Sequence, residues 1–268
     1  MTPTHCGPAL LFCPGHRHDL HQKVLARCDT AIFDLEDAVP EADKASARTA
    51  VVSAAADAPE NSIVRINAVG TAWFAEDVAA MERAGVRRLM LPKASGAHEL
   101  DLLRDFDVVA LCETASGVLT AGDMAARPNC VALMWGGEDL IADTGGRSSR
   151  GADGRYYPTI ETARSAILLA ATAHRKLAID AVHIDISDLT GLQRESIEAA
   201  DLGFGAKACI HPDHVPVIRA AFRPNASQTQ WATDLLAAAP PDGVFRHGDQ
   251  MIDAPLLAHA RNMMRRNG

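Results

Sequence analysis

The chain has no excess of positive charge: its formal net charge is −8. Phosphate-rich partners need a basic face, so nucleic acid and anionic membrane surfaces are excluded as main partners, and an anionic ligand has to be met by local charge. Long apolar runs are also missing. The longest near the start, Ala9 to Cys13, is far short of the roughly 20 residues a bilayer-crossing helix needs, and it lacks a basic flank and a small-residue cleavage site. The expected location is therefore the cytoplasm, with no membrane partner. The six cysteines, Cys6, Cys13, Cys28, Cys112, Cys130 and Cys209, form no C-x-x-C pair and read as buried thiols of a reducing compartment. No G-x-S-x-G elbow is present, and Cys112 lies inside a strand-like run rather than at a helix N-terminus, which leaves triad-type hydrolase chemistry without support.

The 268 residues are 48% hydrophobic and 22% charged, which excludes a disordered chain and supplies one large core or two small ones. Eight short β-rich runs, 10–14, 30–37, 62–68, 87–94, 108–114, 131–139, 181–185 and 206–212, alternate with Ala-rich segments of helical length such as 43–57 and 72–84. The second of these helices ends at Gly85, where a left-handed cap is expected. Apolar strands alternating with helices predict a (β/α)₈ barrel over residues 1–222, since strands buried on both faces read as continuous apolar runs. An open doubly wound sheet is the competing fold, but no G-x-G-x-x-G follows the first strand. Residues 143–158 form a Gly-, Arg- and Ser-rich loop. Residues 223–268 form a helical tail outside the barrel repeat, with helices near 228–239 and 254–265.

A barrel of this kind builds its active site at the C-terminal ends of its strands, so the polar residues that end apolar runs are the ones to examine. They are Asp34-Leu35-Glu36-Asp37, Val64-Arg65-Ile66-Asn67, Leu91-Pro92-Lys93, Glu113-Thr114 and Gly136-Gly137-Glu138-Asp139. Carboxylates without clustered His or Cys make a hard oxygen site suited to Mg²⁺ or Mn²⁺, and Glu113 and Asp139, at the ends of adjacent strands, are the expected ligands. Arg65 supplies a fixed cation for a carboxylate or a developing enolate oxygen, and Gly136 and Gly137 let a substrate approach backbone N–H groups. Each residue has a plainer explanation. Asp37, Asp139 and Asp253 can be helix N-caps, Arg65 can be the partner of a buried acid such as Asp34, His16, His18 and His21 read as a solvated helix entry, and His211 reads as a packed histidine. Joint placement at one rim favours the functional reading of the set.

Seven motifs in order resemble the HpcH/HpaI aldolase and citrate lyase β-subunit family: Leu11-Phe12-Cys13-Pro14-Gly15, Asp34-Leu35-Glu36-Asp37-Ala38-Val39, Val64-Arg65-Ile66-Asn67, Leu91-Pro92-Lys93, Leu111-Cys112-Glu113-Thr114, Gly136-Gly137-Glu138-Asp139-Leu140 and Ile210-His211-Pro212. Within that family they are most like the stand-alone citrate-lyase-β-like proteins of actinobacteria, the citramalyl-, malyl- and β-hydroxyacyl-CoA lyases. The resemblance implies a Mg²⁺-dependent barrel lyase that breaks or makes a carbon–carbon bond between a 2-oxo acid (pyruvate, glyoxylate or an oxaloacetate-like acid) and an acyl-CoA enolate.

By that resemblance Glu113 and Asp139 bind Mg²⁺, Arg65 and Glu113 contact substrate, and Glu36 and Asp37 hold metal-bound waters. Backbone contacts come from around Ala208 and Cys209, and Asp253 is a catalytic acid brought in by the tail of a neighbouring subunit, which implies a homo-oligomer, a trimer or a multiple of one. A position that carries lysine in some relatives is Asp19 here, leaving Arg17 and Lys23 as the cations near the CoA phosphates. Two alternatives stay open. One is a citrate lyase β-type subunit acting only with partner subunits. The other is an aldolase on free 2-oxo acids, disfavoured because such relatives usually place a histidine where Glu36-Asp37 stand.

Overall fold

The computed structural model describes residues 7–240 and 243–266. The chain divides into two compact units, one running to Ile218 and the other starting at Arg219. In the first unit eight parallel strands close into a barrel in sequence order: β1 (Ala9–Pro14), β2 (Thr30–Asp34), β3 (Ser62–Arg65), β4 (Arg88–Leu91), β5 (Asp107–Cys112), β6 (Cys130–Trp135), β7 (Leu177–Asp180) and β8 (Ala206–Cys209). Closure is made by β1 against β8, with Leu10 level with Ala208 and Leu11 with Cys209. The expected fold class is the observed one.

Because side chains alternate across a strand, each strand sends every second residue into the barrel. Leu10, Ile32, Ile63, Met90, Val109, Leu111, Met134, Ile179 and Ala208 meet there as one buried cluster. Each fully buried Leu, Ile or Met contributes about 1.5–3 kcal/mol. The opposite face is buried as well, as β2 shows along its whole length, so the strands read as unbroken apolar runs. The helix Phe74–Ala84 ends at Gly85 with φ 72°, as expected from its sequence.

The expected strands overran the ladders at their C-terminal ends. Glu36, Asp37, Lys93, Glu113 and Asp139 all lie just past the last paired residue, in the loops and helix starts that form the rim. The seventh strand is a correction: it spans Leu177–Asp180, and residues 181–185 expected in its place are irregular. The preceding helix, Pro158–Ala173, is closed early by Arg175 in the left-handed region (φ 56°) and by the Lys176 N–H donating to the Ala171 carbonyl at 2.8 Å. The chain therefore enters the sheet four residues sooner than the second of two adjacent apolar runs suggests.

On the outward face of β7 and β8, Asp180 and Lys207 are each about 1% exposed and 2.8 Å apart. Asp180 also accepts from Arg164 Nε at 2.9 Å and from Trp135 Nε1 at 2.8 Å. Glu195, on the helix Leu189–Leu202, extends the network to Arg150 at 2.5 Å and to His183 Nδ1 at 3.1 Å. Burial opposes ionisation of Glu195, but His183, Lys207 and Arg150 outweigh it and hold its pKa down at about 2.

In the second unit the helices Ala226–Ala238 and Ala254–Arg266 pack around Ala232, Leu235, Ile252, Leu257 and Ala260. A purely helical tail was expected, but this unit also holds a hairpin of β9 (Phe245–His247) and β10 (Gln250–Ile252), turned at Gly248 with φ 59°. A two-residue turn with glycine in the left-handed region is a hairpin signal that the short flanking strands mask.

The depressed pKa of Glu195 sets a pH dependence. Its contribution to stability is complete above its unfolded-state pKa and is lost as pH falls toward about 2. The expected outcome for Glu195→Gln is a loss of about 3–5 kcal/mol at pH 7, as for breaking a buried ion pair. The gap between variant and parent in thermal unfolding should close as the pH is lowered through that interval.

Candidate active site

A cavity of about 280 Å³ opens at the C-terminal end of the barrel. The inward alternation of the strands determines its lining: Phe12, Asp34, Arg65, Glu113, Gly136, Ala181 and Ile210 each stand two residues beyond an inward core residue and surround it. Asp139, from the first turn of the helix Gly137–Asp143, completes the acidic side.

The register of β2 against β3 sets Asp34 opposite Arg65. Asp34 grips the guanidinium at both carboxylate oxygens, accepting from Nε at 2.7 Å and from an Nη at 2.6 Å. The other Nη of Arg65 lies 2.9 Å from Glu36 Oε2, and the group sits 5.0 Å from the Phe12 ring centroid. Two of the five N–H groups of Arg65 are thus donated to Asp34, and the remaining terminal nitrogen forms an ion pair with Glu36. Arg65 is thus the partner of the buried Asp34, and it also lines the cavity.

The register of β5 against β6 sets Cys112 beside Trp135, and so Glu113 beside Gly136. A Cβ on Gly136 would lie 2.8 Å from Glu113 Oε2, so only glycine leaves the carboxylate its place. Glu113 is 2% exposed, and its Oε1 accepts from the Lys93 N–H at 3.0 Å. Burial, then the charges of Asp139 and Glu36, push its pKa up to about 8 despite Arg65. The pocket is therefore short of positive charge.

A hard divalent cation fits this donor set: two carboxylates of adjacent strand ends, all-oxygen donors, and the gap left by the absent Cβ of Gly136. Among the described residues no three His, Cys, Asp or Glu side chains gather around one point as metal ligands. Two carboxylates with water and substrate oxygens complete a magnesium shell better than they complete a zinc one.

Glu36 and Asp37 lie on the same rim, Glu36 buried and Asp37 exposed, and both accept from Lys93 Nζ, Asp37 at 3.1 Å. Burial works against the charge of Lys93, but its bonds to Glu36 and Asp37 and the field of Glu113 raise its pKa. The part played by Lys93 was not foreseen, although the Leu91-Pro92-Lys93 ending of the fourth run signals its place. Lys44 had no signal at all: its buried ammonium donates to the Leu35 and Glu36 carbonyls at 2.6 and 2.7 Å and to Asn67 Oδ1 at 2.7 Å, pinning the Glu36 loop from partners distant in sequence.

Gly137 lines the cavity beside Gly136. Ala208 and Cys209 are buried in β8 below the cavity, and the residue of that stretch that lines it is Ile210. Asp253 belongs to the second unit, where its Oδ1 accepts from Leu256 N at 3.4 Å in the first turn of the helix it precedes, as an N-cap does. Arg17 is exposed and paired with Asp19 at 2.9 Å, and Lys23 is exposed. The solvated reading fails for His21, which is 4% exposed and 4.8 Å from the Phe33 ring, because it shares the barrel-facing side of its helix with Val24.

Residues 9–212 match the HpcH/HpaI aldolase/citrate lyase family. A citrate lyase subunit beta-like protein of Mycobacterium tuberculosis is 48% identical over 98% of this chain and 96% of its own length. The mitochondrial citramalyl-CoA lyase of Rattus norvegicus is 31% identical over 96% of this chain and 84% of its own. Among solved structures, protein CitE from Mycobacterium tuberculosis in complex with magnesium, acetoacetate and coenzyme A superposes with a TM-score of 0.94 at 47% identity, covering 98% of both chains. With an arginine, two carboxylates and a Gly-Gly pair at the mouth of its eight-stranded barrel and these relatives along its length, the chain belongs to the HpcH/HpaI aldolase/citrate lyase family as a lyase.

Proposed function

We propose that this protein is a Mg²⁺-dependent carbon–carbon lyase that cleaves a 3-hydroxyacyl-CoA such as citramalyl-CoA or malyl-CoA into acetyl-CoA and a 2-oxo acid, or runs the condensation. The observation that carries the proposal is the convergence of Arg65, Glu113 and Asp139 on one cavity, with Gly136 leaving room for the Glu113 carboxylate. The magnesium, acetoacetate and coenzyme A in the complex of the Mycobacterium tuberculosis protein are the expected metal, an acid of the expected size and the expected carrier.

Glu113 and Asp139 would hold the metal, which supplies Lewis acidity to the hydroxyl and carboxylate oxygens of the substrate. In cleavage the hydroxyl gives its proton to solvent at the mouth, the C2–C3 bond breaks, the hydroxyl carbon becomes the 2-oxo carbon, and the electron pair of the broken bond passes to the thioester as an enolate. Arg65 is oriented for that moment. Asp34 holds its plane through two nitrogens, so its free N–H groups meet developing negative charge without rearrangement, an effect for which loss of one comparable donor costs about 10²–10³ in rate. The apolar wall of Phe12, Leu111 and Met134 excludes water from the enolate. Glu36 and Asp37 would hold the metal-bound waters.

In this reading Asp253 of a neighbouring copy delivers the proton to the acetyl-CoA carbon, or removes it in the condensation direction. The working enzyme is then a homo-oligomer, a trimer or a multiple of one, and the second unit is the segment that completes the neighbour's site. From β8 the contact to the substrate falls to Ile210, since Ala208 and Cys209 are buried below the cavity.

The first test is purified protein with Mg²⁺ and a mixture of citramalyl-CoA and malyl-CoA, following pyruvate, glyoxylate and acetyl-CoA by mass spectrometry. Cleavage abolished by EDTA is expected, and thioester binding without cleavage would refute a self-sufficient lyase. Glu113→Ala should lose Mg²⁺ binding in a calorimetric titration while remaining folded. Asp253→Ala should keep Mg²⁺ binding and lose about 10²-fold or more in kcat, the scale of a general acid. Unchanged turnover would remove Asp253 from the mechanism. Gly136→Ala, whose methyl meets Glu113 Oε2, should weaken Mg²⁺ binding about tenfold or more with little change in melting temperature.

A further inference from the structure

Lys93 is the residue at the mouth that touches the most acids. Its backbone N–H donates to Glu113 Oε1 at 3.0 Å, while its ammonium donates to Glu36, reaches Asp37 Oδ2 at 3.1 Å and lies 3.7 Å from Asp139 Oδ1. One residue thus contacts four of the carboxylates at the mouth, with its main chain on one expected metal ligand and its side chain beside the other. It does so from φ 50°, a left-handed conformation that L-residues with a Cβ adopt rarely and keep only where surrounding bonds hold them. The side chain is 36% exposed, so the ammonium has solvent space to move into, and Asp139 is 40% exposed beside it.

We propose that Lys93 is a positioning residue of the metal site, whose main chain fixes Glu113 as a ligand and whose ammonium is the resident counter-charge of Asp139 that an arriving divalent cation displaces. The proposal rests on the reading that Glu113 and Asp139 take Mg²⁺. Cation uptake is then an exchange of one positive charge for another at Asp139, with the displaced ammonium retained by Glu36 and Asp37. Two cations cannot share one carboxylate oxygen at contact distance without strong repulsion, so the ammonium competes with the metal and sets its affinity. A lysine that only holds the rim together has the opposite consequence: its removal loosens the ligands and weakens binding.

The test is calorimetric titration of Mg²⁺ into EDTA-stripped full-length protein, comparing the parent with Lys93→Met, Lys93→Gly and Lys93→Arg. Met removes the charge and keeps the bulk. Gly removes the side chain and tolerates the left-handed backbone, so a folded charge-free variant is available even if strain unfolds the other. Both are expected to bind Mg²⁺ about three- to tenfold more tightly than the parent, with Arg close to the parent. In Lys93→Val a β-branched side chain at positive φ shifts the N–H away from Glu113, and binding should weaken instead. Charge-free variants that bind no more tightly than the parent overturn the proposal while leaving the metal site standing. A parent that takes up no Mg²⁺ overturns the metal site and this proposal with it.

Discussion

Closure of the sheet is the constraint on which everything else in the first unit depends. Eight parallel strands buried on both faces leave no free edge once β1 pairs with β8, and the shared direction of the strands brings every C-terminal end to one rim. The alternation that fills the interior with Ile32, Ile63, Leu111 and Met134 sends the residues two positions further along, Asp34, Arg65, Glu113 and Gly136, into the opening. Asp34, Arg65, Glu113 and Gly136 are where they are because the core residues before them had to point inward. The active site is the continuation of the core pattern past the point where it meets water.

Electrostatic balance at that opening is uneven by construction. Glu36, Glu113 and Asp139 share a small volume with Arg65 and Lys93, and the guanidinium is already committed to Asp34 on two of its nitrogens. Burial, then the charges of Asp139 and Glu36, push the Glu113 pKa up to about 8. A pocket in that condition has affinity for cations and offers them oxygen alone. The same arrangement keeps Arg65 from rearranging, and a fixed donor facing a charge that appears only during reaction is the most effective form of electrostatic catalysis.

The outward face of the barrel carries a second set of charges with a different balance. Asp180 and Glu195 are matched by Lys207, Arg164 and Arg150, and the Trp135 indole ties this network to the wall of the cavity. Paired and hydrogen-bonded, these groups are tolerated where unpaired ones would not be. They lock the helices Pro158–Ala173 and Leu189–Leu202 onto β7 and β8.

The sequence by itself determined the fold class, since eight apolar runs alternating with helical segments have few other closed solutions. It also marked the places of Glu36, Arg65, Lys93, Glu113, Gly136 and Asp139, because polar residues ending apolar runs stand out against them. It did not set the start of the seventh strand, which depends on how Arg175 closes the helix before it, nor reveal the hairpin of the second unit, whose strands are three residues each. Only the tertiary structure decided what each marked residue is bonded to. The partners of Lys93 and Lys44 lie between 8 and 57 residues away, and a bond across such a separation is set by strand register and loop geometry, which no local pattern encodes.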